Sequence, residues 1–432
     1  MSCVLLATLG SLGDLHPYIA VGRALRARGQ HVRLATSSDY RSRVEAAGLE
    51  FAPLAPALSE LGDPSHIARQ FFARWRGPRR LIRAMVTAPL GRACTDLRAA
   101  LEGACLVVSH PLTPALPLLA ESRGVAWLSS VLAPYSLLSS SDPPAIPNLD
   151  WLRRLPGGQY WLQAPLQRLV RTQVRRLEGP LHALRAELGL PAVRGSLLMG
   201  GLFSALGTLA LFDPVLASPQ RDWPAHTFVS GAAVHDAAAA ELESGAWQER
   251  LESFLTSGPP PLVFALGSSA VWLAQGFWKH AIAACQTLGH RGLLLTGMPI
   301  EQPLPASVAA FEYLPYSQVF PRAAAVIHQA GIGTLSQALR SARPQLLTPA
   351  GFDQPDNAAR AARLGIGRIL PFHRAHSAAR LVRELRALLD DRTHERSAIE
   401  TANRLRGIDG AAAAAQHLVS LQSQRLGSMP LP

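Results

Sequence analysis

The stretch AVIHQAGIGTLSQALRSARPQLLTPAGFDQPDN, residues 325–357, indicates the fold most directly. Its first residues, Ala325–Ile327, form a short apolar run rich in β-branched side chains, which is typical of a strand buried on both faces. A glycine-rich turn follows, and from Leu335 to Ala342 apolar residues recur every three or four positions, as on one face of a helix. The order of strand, glycine turn and helix predicts an α/β fold with parallel strands.

The glycine-rich turn has the features of a phosphate site. Gly331 and Gly333 allow the backbone to approach a ligand closely, and the helix start offers unpaired N–H groups and the positive end of its dipole. Such a turn suits a phosphate or a diphosphate. A second apolar strand over residues 344–349 leads to Asp353 and Gln354, whose carboxylate and amide suit the hydroxyl groups of a sugar.

The start of the chain repeats this pattern. Residues 4–8 are predicted to form a buried strand, and the turn over residues 10–17 contains two glycines and Asp14 before a helical pattern begins. We expect this helix to begin at Pro17, because proline is favoured at the first helical position. The opening is not typical of a dinucleotide-binding motif, since its glycines lack the GxGxxG spacing and no acid closes the second strand, His31–Thr36.

Both turns resemble signatures of one family. His-x-x-Gly-x-Gly-Thr at residues 328–334, followed about twenty residues later by Asp-Gln, resembles the donor-binding signature of the GT-B nucleotide-sugar glycosyltransferases (family 1, UDP-glycosyltransferase-like). Gly-Ser-x-Gly-Asp-x-x-Pro at residues 10–17 resembles the N-terminal signature of the same family. Residues 220–224 resemble a segment of its rhamnolipid-type rhamnosyltransferase branch. Ala330 stands where the family commonly has glycine, and alanine there predicts a negative φ angle.

The resemblance implies a fold and a domain organisation. The GT-B fold consists of two doubly wound, Rossmann-like parallel-sheet domains that face each other across a cleft. An acceptor-binding domain would cover residues 1–217, a linker 218–250 and a nucleotide-sugar-binding domain 251–410. The tail, residues 411–432, would cross back to the N-terminal domain. Residues 134–147, which are rich in proline and serine, are predicted to form a loop over the acceptor.

The resemblance also implies roles for individual side chains. The donor-binding residues would be Gly267, Ser268, Tyr313, His328, Gly331, Gly333, Thr334, Asp353 and Gln354. Asp14 is the candidate catalytic base and His16 the alternative, while capping of the helix is the structural explanation for an acid at position 14. His110 and Ser129 follow apolar strands, whose carboxyl ends face the ligand crevice in this architecture, and are predicted to bind the acceptor. An aromatic ring such as that of Tyr313 could stack on the base of the nucleotide or pack in the core.

These roles predict an inverting transfer of a hexose from a nucleotide sugar to a hydroxyl group. One base and a direct displacement imply inversion, and the charge of the departing diphosphate would fall to His328, Ser268 and the helix dipole. The sequence contains no Asp-x-Asp triplet, so neither a metal ion nor another cofactor is expected. The resemblance favours dTDP-L-rhamnose over UDP-glucose as the donor. Apolar and aromatic residues between Phe71 and Tyr135 favour a mainly apolar acceptor, such as a hydroxy-fatty acyl lipid or a natural product.

Three other functions are open on the sequence alone. A non-hydrolysing nucleotide-sugar 2-epimerase shares the fold and the diphosphate site but needs no acceptor. A non-catalytic partner protein on the same scaffold should have lost the base or the donor residues, whereas Asp14, His328 and Asp353 are all present. A nicotinamide-dependent oxidoreductase would change absorbance when its cofactor is added.

Composition narrows the range of partners and compartments. The net charge of +12 comes from dispersed arginines, with Lys279 the only lysine, and the absence of a nucleic-acid-binding motif argues against nucleic acid as a partner. The four cysteines lack paired spacing and no apolar run reaches the length of a membrane span, which favours a cytoplasmic protein. The basic and aromatic segment Arg69–Arg83 has two interpretations. It is either an ordinary surface helix or a contact with the acceptor or with the inner face of the membrane.

Overall fold

The computed structural model describes residues 3–73, 76–145, 169–193, 195–236, 246–274, 276–300 and 303–428. The chain divides into two compact units, the first formed by Met1–Val234 with Asp409–Pro432 and the second by His235–Ile408. Each unit is built around one parallel sheet.

The strands of the N-terminal unit are Cys3–Ala7 (β1), His31–Thr36 (β2), Glu50–Pro53 (β3), Ala104–Ser109 (β4), Ala126–Val131 (β5), Thr208–Ala210 (β6) and Thr227–Val229 (β7). They form a seven-stranded sheet in the order β3-β2-β1-β4-β5-β6-β7. β1 is buried along its whole length, as expected for an apolar strand in a parallel sheet covered on both faces. The strand order reverses between β1 and β4, so the loops that leave these strands diverge at the carboxyl edge and flank a crevice.

The helices of this unit are Leu12–Arg26 (α1), Arg41–Ala46 (α2), Pro64–Phe71 (α3), Gly77–Ile82 (α4), Leu90–Ala100 (α5), Ala115–Ser122 (α6) and Gly179–Glu187 (α7). Leu97 of α5 and Leu116 of α6 lie in its hydrophobic core. The last helix of the chain, Gly410–Ser428, belongs to the same unit and packs against α1. His417 of this helix stacks on Phe228, with the two ring centroids 4.2 Å apart.

The strands of the second unit are Leu262–Ala265 (β8), Gly292–Leu295 (β9), Val308–Phe311 (β10), Ala325–His328 (β11), Gln345–Leu347 (β12) and Gly367–Ile369 (β13). They form a six-stranded parallel sheet in the order β10-β9-β8-β11-β12-β13. Its helices are Ala246–Thr256 (α8), Gly267–Ala270 (α9), Phe277–Leu288 (α10), Tyr316–Val319 (α11), Ile332–Arg340 (α12), Gln354–Arg363 (α13), Phe372–Ala375 (α14), Ala378–Asp390 (α15) and Arg392–Leu405 (α16). Here the order reverses between β8 and β11, which places a second crevice beside the loops after these strands.

The predicted α/β class with two doubly wound parallel sheets is confirmed. The predicted strand over His31–Thr36 has the same bounds in the structure, and the strand predicted over Ala325–Ile327 extends by one residue to His328. Gly267, which is among the predicted donor-binding residues, is the first residue of the short helix α9.

The predicted start of the first helix is wrong. α1 begins at Leu12, and Pro17 lies inside it. Ser11 and Asp14 form a capping box that starts the helix ahead of the proline. The sequence contains this signal, a serine followed three residues later by an acid, but the preference of proline for the first helical position concealed it.

The basic segment Arg69–Arg83 spans the end of α3 and all of α4, with residues 74–75 outside the described part of the chain. None of the described helices is both long and apolar enough to cross a membrane.

The predicted acceptor loop is described as far as residue 145 and is fastened to Asp222. The Asp222 carboxylate accepts hydrogen bonds from the hydroxyls of Ser139 and Ser140, at 2.8 Å and 2.6 Å, and from the backbone N–H groups of Ser140 and Ser141. Burial opposes ionisation of this carboxyl, but the hydrogen bonds outweigh it and hold the pKa of Asp222 well below its ordinary value. This part of the loop is therefore held in place by an ionised side chain.

Candidate active site

Asp14 lies in the first turn of α1, where its carboxylate caps the helix. Its Oδ2 accepts hydrogen bonds from the backbone N–H of Ser11 at 2.7 Å and from the Ser11 hydroxyl at 3.1 Å. The turn needs glycine at position 10, because φ is +133° there and a β-carbon would collide with the Asp14 carboxylate. Capping and the predicted role as a base are compatible, since only Oδ2 makes these bonds.

The other oxygen of Asp14 faces His110, which follows β4. Asp14 Oδ1 lies 3.6 Å from His110 Nε2, and the two side chains are 31% and 7% exposed. The backbone N–H of Leu112 donates to His110 Nδ1 at 3.2 Å, so in the neutral ring the proton is on Nε2 and points towards Asp14. The reversal of strand order between β1 and β4 brings the two residues together from distant parts of the chain.

Burial favours the neutral form of both Asp14 and His110 and shifts their pKa values accordingly. It raises the pKa of Asp14 to about 6, against the opposing effect of the hydrogen bonds from Ser11, and it lowers the pKa of His110 to about 3. At neutral pH the pair therefore consists of a carboxylate and a neutral imidazole. A carboxylate whose pKa lies this close to neutrality can accept a proton from a substrate and release it again.

Two further residues, Tyr18 and Ser130, lie next to the pair of Asp14 and His110. Ser130 donates a hydrogen bond to the carbonyl of Ser109 at 2.8 Å, which leaves its oxygen to accept from the Tyr18 hydroxyl at 2.5 Å. The Tyr18 ring in turn packs edge-on against His110, with centroids 5.9 Å apart. Neither residue was assigned to the site from the sequence, although Tyr18 stands four residues after Asp14, on the same face of the helix.

The remaining residues predicted in this unit are placed differently. Ser129 is 6% exposed and shares a hydrogen bond of 2.7 Å with Thr208, which links β5 to β6 and not to Asp14. His16 is half-buried and lies two residues after Asp14, so the two side chains do not share a face of α1. The structure brings together Asp14 and His110, and Ser129 has a partner of its own.

In the second unit, β11 leads through the glycine turn into α12. The N-cap of α12 is Gly331, which has no side chain to bond the first N–H groups of the helix. The loop after the neighbouring strand β8 comes close to this turn at Gly267, whose φ is +65°. A β-carbon at Gly267 would lie 3.4 Å from Thr334 Oγ1, so this loop lies beside the start of α12, which can receive an anion.

His328 is fully buried at the end of β11, and both of its ring nitrogens have protein partners. Nδ1 accepts from the backbone N–H of Ala330 at 3.2 Å, and Nε2 donates to the side-chain oxygen of Gln345 at 3.0 Å. Burial lowers the pKa of His328 to about 4, so the ring is neutral at pH 7. In this conformation His328 shapes the turn, and its predicted contact with a diphosphate stays a prediction.

The expectation for Ala330 is wrong, because its φ angle is +64° and not negative. Asn357 contributes to holding this backbone by donating to the Ala330 carbonyl at 3.0 Å and to Asp353 Oδ2 at 2.6 Å. Asn357 therefore connects the glycine turn after β11 to the predicted sugar-binding segment. Its spacing of four residues from Asp353 was the signal in the sequence.

The other predicted donor residues also have structural partners. Gln354 is 3% exposed, and its side-chain oxygen accepts from the backbone N–H groups of Ala350 and Gly351 at 2.9 Å and 3.3 Å. The half-buried Tyr313 ring lies 6.5 Å from Tyr316, centroid to centroid. Gln354 therefore holds the loop before α13 in shape.

One group of side chains among the described residues has the composition of a metal site. The ligand atoms of Cys3, His31 and Glu50 lie within 4.8 Å of one another at the amino ends of β1, β2 and β3. This edge of the sheet is opposite the one from which Asp14 follows. Arg33 donates to Glu50 at 2.6 Å and places a positive charge beside the group, which disfavours a cation there.

Comparisons with known proteins decide the family. Residues 4–109 match the profile of the glycosyltransferase family 28 N-terminal domain, and residues 297–421 match that of the erythromycin biosynthesis protein CIII-like C-terminal domain. The chain is 32% identical over 378 residues to the O-mycaminosyltylonolide 6-deoxyallosyltransferase of Streptomyces fradiae, covering 84% of each protein. It is 31% identical over 442 residues to the vancomycin aglycone glucosyltransferase of Amycolatopsis orientalis, covering 98% of each.

The chain belongs to the GT-B glycosyltransferases. Among solved structures, the spinosyn rhamnosyltransferase SpnG complexed with thymidine diphosphate superimposes on this glycosyltransferase with a TM-score of 0.65 at 17% identity, over 97% of this chain and all of that one. The resemblance inferred from the two turns is thereby confirmed, and so is the prediction of an enzyme.

A glycosyltransferase must deprotonate a hydroxyl group and stabilise a leaving group. The turn after β1 offers an ionisable carboxylate beside a neutral imidazole. The turn after β11 offers an uncapped helix start beside the glycines. The two units of this glycosyltransferase thus provide different chemistry from the same succession of strand, turn and helix.

Proposed function

We propose that this glycosyltransferase moves a hexose from a nucleoside diphosphate sugar to a hydroxyl group of a mainly apolar acceptor, with inversion and without a metal ion. dTDP-L-rhamnose is the favoured donor and UDP-glucose the next. The acceptor is a hydroxy-fatty acyl lipid or a natural product. The observation that carries the proposal is the Asp14 carboxylate, one oxygen of which lies 3.6 Å from His110 Nε2 and whose pKa burial raises to about 6.

The proposed reaction is a single displacement. The acceptor hydroxyl gives its proton to Asp14 Oδ1, and its oxygen forms a bond to the anomeric carbon of the sugar. The bond from that carbon to the diphosphate oxygen breaks, and the nucleoside diphosphate leaves with the electron pair. Because the attacking and the leaving oxygen lie on opposite faces of the sugar, the anomeric configuration inverts. His110 stays neutral and orients its Nε2–H towards the carboxylate.

The departing diphosphate requires stabilisation of its negative charge. The start of α12, with Gly331 as its N-cap, offers backbone N–H groups and the positive end of the helix dipole. The hydroxyls of Ser268 and Thr334 are the further donors that we propose for this diphosphate. Preorganised donors of this kind can replace a metal ion in stabilising the leaving group.

The names of the relatives support the choice of substrates. One relative transfers glucose to the vancomycin aglycone and another acts on a tylonolide, both natural products, and the spinosyn rhamnosyltransferase binds thymidine diphosphate. In the N-terminal unit, Phe71 is half-buried and Tyr135 is 39% exposed, so aromatic surface is available to an apolar acceptor.

A thermal-shift panel of dTDP- and UDP-sugars, each with and without EDTA, tests the donor. A ligand at ~100 times its dissociation constant stabilises by about 2.7 kcal/mol, and we expect the largest shift with dTDP-L-rhamnose and no effect of EDTA. Larger shifts with UDP-glucose would overturn the choice of donor. Loss of sugar transfer when EDTA is added to the acceptor assay described next would overturn the proposal that the reaction needs no metal ion.

An acceptor panel of lipid alcohols, aglycones and oligosaccharides, with NMR of the product's anomeric centre, tests the rest. We expect transfer to the apolar acceptors with inverted configuration. Retention of configuration would exclude a single displacement, and transfer to oligosaccharides alone would exclude the apolar acceptor. Interconversion of the sugar nucleotide without any acceptor would identify an epimerase instead.

The variant Asp353→Ala tests the proposed binding of the sugar by Asp353. We expect this variant to weaken binding of the intact sugar nucleotide more than binding of free dTDP, because the carboxylate is proposed to bind sugar hydroxyls. Equal losses for both ligands, measured by calorimetry, would place Asp353 outside the sugar pocket.

A further inference from the structure

One segment of the N-terminal unit carries its positive charge on a single helical face. Residues 64–95 include seven arginines and no acidic residue. Four of these arginines lie on α4 or at its two caps, at the spacing of three and four residues that places side chains on one face of a helix. They are Arg76, Arg79, Arg80 and Arg83, and all four are exposed. We call these four side chains the basic face.

The charge of the basic face is not neutralised within the described part of the chain. No ion pair joins any of its four guanidinium groups to a described carboxylate. Other exposed arginines of this unit do have such partners, since Arg92 pairs with Glu60 at 2.7 Å and Arg41 with Glu45 at 3.2 Å. Like charges three or four residues apart on a helix repel each other, so the basic face on its own destabilises the helix that carries it. An anionic partner would remove this repulsion.

The opposite side of the same segment is fixed to the body of the unit. Leu81 and Ile82 pack against the hydrophobic core, and Met85 and Val86, which follow the basic face, are buried in it. None of the described large apolar side chains of α3 and α4 is exposed. The basic face therefore presents four guanidinium groups together to the solvent, without an exposed apolar group among them.

The basic face also lies near the turns of the candidate active site in this unit. Met85 and Val86 line a small cavity together with Leu9 and Leu112. Leu9 belongs to the turn after β1 and Leu112 to the turn after β4, and these two turns provide the candidate base and the histidine beside it. A partner bound at the basic face is therefore close to the turns at which the acceptor is proposed to bind.

We infer that the basic face binds the surface of an anionic lipid bilayer. A specific protein interface needs a buried apolar core, which this surface does not offer, whereas clustered basic side chains bind an anionic bilayer by charge alone. Bilayer binding would also bring the enzyme to a hydroxy-fatty acyl acceptor, and only this consequence rests on the proposed function. The attraction is electrostatic and reversible, so salt weakens it.

Sedimentation with lipid vesicles tests the inference. We expect the native protein to bind phosphatidylcholine vesicles that contain phosphatidylglycerol, to be released by high salt, and not to bind phosphatidylcholine alone. A basic side chain near an anionic surface contributes about fivefold in affinity. The fourfold variant Arg76→Gln, Arg79→Gln, Arg80→Gln and Arg83→Gln should therefore bind at least about a hundredfold more weakly. Its unfolding temperature should not fall, because the changed side chains are exposed and have no ion-pair partner among the described residues.

A matched control removes the same charge elsewhere. Arg380, Arg386, Arg396 and Arg404 are exposed on α15 and α16 of the second unit, which also carry acidic residues. Glutamine at these four positions should leave vesicle binding within a few-fold of native. A second variant places lysine at the four positions of the basic face, which keeps the charges, and it should bind the vesicles as the native protein does.

The inference fails if the native protein does not bind the anionic vesicles, or if the control variant loses as much affinity as the basic-face variant. Failure of the lysine variant to bind would show that charge does not determine the binding, which also contradicts the inference. Binding of soluble poly-L-glutamate without binding of the vesicles would assign the basic face to an acidic protein segment instead. Because the assay contains neither donor nor acceptor, its result is independent of whether the proposed transfer takes place.

Discussion

The turns after β1 and β11 share one pattern and differ in how the following helix begins. In the first, Ser11 and Asp14 form a capping box on α1, and the Asp14 carboxylate occupies the helix start. In the second, Gly331 provides no side chain, and the start of α12 is left to other donors and acceptors. A helix start that carries its own carboxylate repels a phosphate, whereas an uncapped one attracts it.

The histidines near the two turns extend the comparison. His110 and His328 each accept a hydrogen bond at Nδ1 from the backbone N–H two residues further on, both at 3.2 Å. This bond fixes the proton of each neutral ring on Nε2. The Nε2–H of His110 points at the carboxylate of Asp14, whereas that of His328 is used by the buried Gln345. The same local geometry thus directs an N–H group at the candidate base in one unit and at an internal hydrogen-bond partner in the other.

Asp14→Asn gives the sharpest test of the first turn, and the largest expected effect. Asparagine keeps an oxygen that can accept from Ser11, so the cap and the donor affinity should survive. General-base assistance contributes ~10²–10⁴-fold, and transfer should therefore be at least about a hundredfold slower. Asp63→Asn is the matched control, because Asp63 also caps a helix of the same unit, α3, by accepting from His66 at 2.7 Å. Two outcomes would show that Asp14 only caps the helix. One is equally slow transfer in both variants, and the other is lower stability with intact turnover in Asp14→Asn.

The pH dependence of transfer should follow the ionisation of Asp14. With its pKa at about 6, the base is protonated below that pH, and the rate should fall about tenfold for each further unit of acidity. Asp14→Asn should lose this dependence while keeping its residual rate. A rate that is flat from pH 5 to pH 8 in the native enzyme would contradict the assignment.

Stability should depend on pH in the opposite sense. The pKa of Asp14 is raised from 3.8 to about 6 in the folded protein, so the unfolded chain releases its proton first as the pH rises. The contribution of Asp14 to the free energy of unfolding is therefore complete below pH 3.8 and is lost as the pH rises through 6. Chemical denaturation of native enzyme and Asp14→Asn at pH 4 and pH 7 should show the variant gaining relative stability at the higher pH.

His328→Ala probes the second turn, with a smaller expected effect. Removing the ring leaves the Gln345 oxygen without its donor and the Ala330 N–H without its acceptor, at a cost of about 1–3 kcal/mol for each buried group. We expect a lower unfolding temperature and a several-fold weaker affinity for dTDP. Gln345→Ala removes only the internal partner, and it separates the two roles of the ring. If that variant loses affinity as much as His328→Ala, the histidine acts through the turn, and if only His328→Ala loses affinity, the ring contacts the diphosphate.

The difference between these turns shows what the sequence could and could not predict. The glycine spacing and the apolar strands predicted both sheets, because these signals are local. Asp14 and His110 were assigned separately, and their contact depends on strand order, which only the fold supplies. The buried ring of His328 is hydrogen-bonded to Gln345, which lies on the neighbouring strand β12 and carries no recognisable signal. Local patterns thus predicted the two turns of the candidate site, whereas hydrogen bonds between distant residues determine which atoms are available in them.

The smallest expected effect concerns the backbone of the two turns. Both contain a residue with positive φ, which is Gly10 at +133° in the first and Ala330 at +64° in the second. At position 10 the Asp14 carboxylate excludes a β-carbon, whereas the Ala330 methyl group is accommodated and fully buried. The strain of alanine in the left-handed region, about 1–2 kcal/mol, is therefore stored in the glycine turn after β11.

Ala330→Gly should release that strain. The gain is offset by the extra freedom of glycine in the unfolded chain, about 0.5–1 kcal/mol, and by loss of a buried methyl group, about 0.8 kcal/mol. The free energy of unfolding should then change by less than about 1 kcal/mol. Ala338→Gly is the matched control, since Ala338 is equally buried but lies inside α12 without strain, and it should lose about 1–2 kcal/mol. Equal losses for the two variants in chemical denaturation would mean that the turn stores no strain. The positive φ of Ala330 would then be a relaxed feature of this turn.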